Sequence, residues 1–247
     1  MKSILEKCSQ SDFEYLSDVL DSHVSLTDDK KRKELLRCKT IQDRKELINL
    51  IDKQIRYYGS SDVAYFLRSF VSKDGGVSAQ ELISDVAEKL KIKLRVGSSV
   101  EKSLETLAKG VVEKELLSKK PEELAEYFRQ IGVGDADNKA ILEFLKTNGK
   151  VAVLPFLIEI LGPEVVFTIC QSIVITFISQ FIGREVAKKL ISELAKKDLW
   201  LNSLGPIIWT LSGAWLAFDL QGPAFRKTIP ICLYLGIVSL RDGEEAE

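Results

Sequence analysis

The chain is poor in the residues on which most site chemistry depends. Among its 247 residues there is one histidine, His23, and there are four cysteines, Cys8, Cys38, Cys170 and Cys232. No two cysteines lie within a few positions of each other, so no C-x-x-C pair exists for zinc, iron–sulfur or dithiol chemistry. A metal or catalytic site built from several histidines is excluded, and no cofactor is expected. His23 lies in Asp21-Ser22-His23-Val24-Ser25, a polar helix end or linker, and reads as a solvated or capping residue rather than a lone base. Scattered cysteines suit a reducing compartment, where a free thiol behaves as a small apolar group. A basic excess is also missing. The 35 Lys and Arg face 36 Asp and Glu, which argues against a nucleic-acid partner. The first twenty residues, with Glu6, Asp12, Glu14 and Asp18, contain no apolar stretch of a secretory leader. The expected location is the cytoplasm.

What is present is unevenly shared. Residues 1–150 hold 53 of the 71 charged side chains, and residues 151–247 hold only 18. All three tryptophans, Trp200, Trp209 and Trp215, fall in the second part. The composition therefore divides the chain into a charged, soluble helical region, 1–150, and an apolar helical region, 151–247.

The first region is a series of helix signals. Ser3-x-x-Glu6, Ser11-x-x-Glu14, Ser78-x-x-Glu81 and Ser98-x-x-Glu101 match the capping box, in which hydroxyl and carboxylate satisfy exposed backbone N–H groups. Leu82, Val86 and Leu90 recur at four-residue spacing, and Leu104, Leu107, Ala108, Val111 and Val112 form a second stripe. Pro121-Glu122-Glu123 opens a helix with proline in its first turn and acids at the positive end of the dipole. A further helix spans about Ala136 to Thr147, closed by Asn148-Gly149. Only Ile92 to Val96 has the look of a strand. The fold class is all-α, a multi-helix bundle.

The second region opens with the apolar segment Val151 to Leu161, closed by Gly162-Pro163. Val165 to Gly183 then runs without a charge, at a mean hydropathy of roughly 1.9, in the range of a transmembrane candidate. The helix is expected to continue through Arg184 to Lys189. Thr168, Gln171 or Ser172, Thr176, and Ser179 or Gln180 trace one uncharged polar stripe along it. Two readings stand. The segment is a core helix whose hydroxyls bond back to carbonyls of the preceding turn, or it is a membrane-inserted helix whose stripe meets partner helices. In the second reading Thr168, Ile173, Thr176, Phe177 and Phe181 contact a membrane or partner, together with Trp200, Trp209 and Trp215 at the interface. Leu199 to Phe218 scores lower, and Ile229 to Leu240 is too short to span a bilayer.

Other motifs carry little chemistry. Gly132-Val133-Gly134 lacks the strand, the third glycine and the Lys-Ser/Thr of a phosphate loop. Asp135 and Asp137 open like a calcium loop, but the later ligands are missing, and helix capping explains them better. In the run Lys30-Lys31-Arg32-Lys33, pairs of Asp28 with Arg32 and Asp29 with Lys33 at i,i+4 describe an exposed helix face. Arg226, in so apolar a region, must reach water or pair with a carboxylate, for which Asp219, Glu159 and Glu164 are available. An Arg226–Asp219 structural ion pair is the expectation.

The segment Gly222-Pro223-Ala224-Phe225-Arg226-Lys227-Thr228-Ile229-Pro230, followed by an apolar helix and Arg241, resembles the C-terminal part of the YaaW family of uncharacterised bacterial proteins. Tyr57-Tyr58-Gly59-Ser60-Ser61 and Ala87-Glu88-Lys89-Leu90-Lys91-Ile92-Lys93-Leu94 match the same family. That family is grouped distantly with ubiquinol–cytochrome c chaperones. The resemblance implies a helical fold and a chaperone-like role, and it implies no catalytic residues. As for Pro223 and Pro230, each suits the first turn of a helix.

The function expected is non-enzymatic. In the leading reading the apolar region engages membrane lipid or a protein partner, by release of a buried hairpin, at or in the inner membrane. In the alternative the chain is a soluble chaperone-like assembly factor with its apolar helices in a closed core, monomeric or a small homo-oligomer. The burial of Ile173, Phe177 and Phe181 discriminates between the two.

Overall fold

A computed structural model of the chain describes residues 1–21, 28–37, 40–59, 77–130, 133–148, 153–197 and 225–243. Among the described residues there are twelve helices and no strand. The first four are α1 (Lys2–Glu6), α2 (Gln10–Leu20), α3 (Asp29–Arg37) and α4 (Ile41–Tyr58). Then come α5 (Ala79–Lys89), α6 (Val100–Ser118), α7 (Pro121–Gln130) and α8 (Asp135–Asn148). The last four are α9 (Val153–Leu161), α10 (Pro163–Ile178), α11 (Arg184–Lys197) and α12 (Phe225–Gly243). The stretch from Ile92 to Val96, which has the look of a strand, is an irregular link between α5 and α6.

Local capping decides where these helices begin. Ser9 caps α2, its hydroxyl accepting from the Asp12 N–H while the Asp12 carboxylate accepts from the Ser9 N–H at 2.6 Å. Ser78 caps α5 and Ser99 caps α6, accepting from the N–H groups of Glu81 and Lys102. The expected boxes at Ser3, Ser11 and Ser98 do not form the caps. Only the extended residue immediately before the first turn can aim its hydroxyl at the third N–H, and for α2 and α6 that residue is a different, nearby serine. Pro121 opens α7 as expected.

The uncharged run does not form one continuous helix. α10 stops at Ile178, residues 179–182 turn, and α11 starts anew at Arg184, with the Ala187 N–H donating to the Gly183 carbonyl. The break lets α11 fold back onto α2 and α10. Among the described residues no helix is long and apolar enough to cross a membrane.

α12 is the centre of the bundle. It packs most extensively on α6 and also meets α10, α5, α2, α4 and α1. Every residue from Thr228 to Ser239 is buried. Gly236 permits the close approach to α6: a Cβ there would collide with the Leu104 carbonyl oxygen and lie 2.9 Å from the Ala108 Cβ. The helix begins at Phe225, so Pro230 sits in its second turn rather than its first. One hydrophobic core joins Ile4, Phe13, Leu107 and Val111 to Ile173, Phe177 and Leu233. The compositional break at residue 150 is thus crossed by a shared core.

Candidate functional site

The residues expected to meet a membrane or partner fall into two groups. Ile173 and Phe177 are fully buried, and Phe181 is partly buried against the core. Their helix, α10, lies against α6, α9 and α12. The hydroxyls of the polar stripe bond within the helix: Thr168 to the Glu164 carbonyl, Thr176 to that of Ser172, and Ser172 and Ser179 to those of Ile169 and Thr176. Trp200, Trp209, Trp215 and Asp219 lie outside the described residues, as do His23 and Cys38. Arg226 is exposed and reaches water.

Two polar clusters escaped the sequence reading. The first surrounds Arg32, which is wholly buried rather than part of a solvated face. It donates to Asp29 at 2.7 Å, Asp21 at 2.6 Å, Ser17 Oγ at 2.9 Å and Gln54 Oε1 at 2.6 Å. Asp29 thus pairs at i,i+3 with Arg32, and Lys33 pairs with Asp21 instead. The packing of α3 on α2 and α4 turns this one cation inward.

The second cluster ties the two ends of the chain together. Asp12, 1% exposed, accepts from the Tyr234 hydroxyl at 2.8 Å and from Arg241 at 3.0 Å. Burial alone would raise the Asp12 carboxyl. The Arg241 guanidinium, the Ser9 N–H and the Tyr234 hydroxyl outweigh that and hold it below the usual carboxylate range. Burial, reinforced by the Asp12 charge, pushes the Tyr234 phenol up. Cys8, Cys170 and Cys232 are buried. Among the described residues no group of three or more His, Cys, Asp or Glu is placed to hold a metal.

The segments that carry the family resemblance meet at the start of α12. The Lys227 ammonium donates to the Leu20 and Asp21 carbonyls, each at 2.8 Å, and stands 4.0 Å from the centre of the Tyr58 ring. A cation at the end of α2 complements the helix dipole. Lys89 lies 5.1 Å from the centre of the Phe225 ring.

The chain is similar to UPF0174 proteins of Helicobacter pylori. It is 26% identical over 204 residues to one from strain J99, covering 80% of this chain and 72% of the relative. It is 24% identical over 192 residues to one from strain 26695, covering 77% and 87%. These likenesses support kinship with an uncharacterised bacterial family. No family model and no solved structure matches.

Proposed function

We propose that the chain is a cytoplasmic, non-enzymatic helical protein that acts on a protein partner as a chaperone-like assembly factor, with its apolar helices in a closed core. One observation carries this choice over the membrane-inserting alternative: Ile173 and Phe177 are fully buried in a core shared with the charged region. The resemblance to YaaW proteins supplies the chaperone-like role. The self-bonded hydroxyls of α10 also suit a core helix, since they ask nothing of a neighbour.

The full chain tests this reading in detergent-free buffer. Gel filtration with light scattering is expected to give one monodisperse species, and flotation with neutral and anionic vesicles is expected to leave the protein in the soluble fraction. Flotation with either vesicle would transfer the reading to membrane engagement by release of α10 and α11.

A further inference from the structure

The link between α5 and α6 is anchored on one side and charged on the other. α5 closes with Lys91 in the left-handed region, at φ 52°. The Lys91 N–H donates to the Glu88 carbonyl and the Ile92 N–H to the Ala87 carbonyl. Glycine is the usual residue at that position, yet a cation occupies it. Ile92 then lies against Gly110 of α6, where an added Cβ would stand 2.8 Å from its Cγ2. Leu94 is also packed on the core. Exposure alternates along the link as it does along a strand: Lys91, Lys93 and Arg95 are exposed, while Ile92 and Leu94 are half-buried.

No acid occurs between Glu88 and Glu101, a stretch that holds Lys89, Lys91, Lys93 and Arg95. Among the described residues no carboxylate pairs with Lys93 or Arg95. α6 adds Lys114, which donates to the Leu90 carbonyl at 2.6 Å. Burial, and then the Lys91 charge, hold the Lys114 ammonium below the ordinary lysine value. The Glu105 carboxylate of α6 is engaged by Lys102 at 3.2 Å. Like charges gathered in this way repel one another until an anion meets them.

We propose that this link is a docking strip for an extended, acidic segment of the protein partner, whose alternate carboxylates meet Lys91, Lys93 and Arg95. The proposal rests on the protein-partner reading above. The cations recur every second residue, about 6.5–7 Å apart, which is also the repeat of alternate side chains in an extended peptide. Ile92 and Leu94 hold the strip in place before binding, so little ordering is lost. A nucleic acid fits less well, because residues 88–100 hold no aromatic side chain on which a base could stack. A membrane fits less well too, since Val96, 99% exposed, is a single apolar side chain and not an apolar face.

Fluorescence anisotropy with the full chain at low salt tests it. The probes are a labelled ten-residue peptide of alternating Glu and Thr, its Gln–Thr counterpart and a ten-nucleotide oligouridylate. The Glu peptide is expected to saturate and to bind more tightly than the other two. Lys93→Gln and Arg95→Gln should each weaken it roughly 2- to 5-fold, whereas Lys139→Gln on α8, an equal loss of charge, should not. Lys91→Gly removes a cation and suits the left-handed backbone, so it should weaken binding while thermal unfolding shows no loss of stability. No saturation by the Glu peptide overturns the proposal and leaves the partner reading to gel filtration and flotation. Tighter binding of the RNA overturns it, as does unchanged affinity in all three link variants. Flotation with phosphatidylglycerol vesicles that the double variant Lys93→Gln/Arg95→Gln abolishes overturns it in favour of a lipid surface.

Discussion

Residues 1–150 carry most of the charge, yet their Arg32 is wholly buried. Residues 151–247 carry few charges, yet Ile173 and Phe177 of the uncharged run from Val165 to Gly183 are covered rather than displayed. The difference teaches that charge density along a chain does not mark where water is. A helix covered on every side needs no polar face, and α12, packed against six others, has no exposed residue between Thr228 and Ser239. The charged helices supply the outer surface that the apolar ones lack.

A matched pair of variants tests this comparison most severely. Phe177→Ala and Arg32→Met should each cost about 3–5 kcal/mol in urea unfolding, the first by opening a cavity and the second by stranding the buried Asp29 carboxylate and Gln54. A loss under about 1 kcal/mol for Phe177→Ala alone would take α10 out of the core. Gly236→Leu, which forces α12 away from α6, should cost about 1–3 kcal/mol by overpacking and lower the thermal midpoint.

Asp12→Asn should cost about 1.5–3 kcal/mol at neutral pH, because it weakens charged hydrogen bonds that join α2 to α12. The folded-state carboxyl lies below its unfolded value. Its contribution is therefore complete above the unfolded pKa of about 3.9 and disappears as pH falls through the lower folded value. The gap between parent and variant should be constant above about pH 5 and shrink in acid. The smallest effect separates neighbouring serines: Ser99→Ala should cost about 1 kcal/mol, and Ser98→Ala less than about 0.5 kcal/mol.

Much of the helical layout is legible in the sequence. Ser78, Pro121 and the stripe from Leu104 to Val112 act within one or two turns, so their patterns report directly on local structure. The break after Ile178 is not legible, because the next residues carry no proline and continue the uncharged run and its polar stripe. Nor is the Asp12 cluster, whose partners Tyr234 and Arg241 lie 222 and 229 residues away. Asp12 alone reads as a helix-start acid, and only its second role needs the far end of the chain.

The sequence by itself determined the all-α class, the charge division and the lack of a histidine or cysteine cluster, since these follow from composition and short-range spacing. Tertiary structure decided that the apolar region is the core's centre and that Arg32 turns inward. The physical reason is reach: capping and periodicity act across a turn, whereas burial depends on which distant helix comes to cover a face.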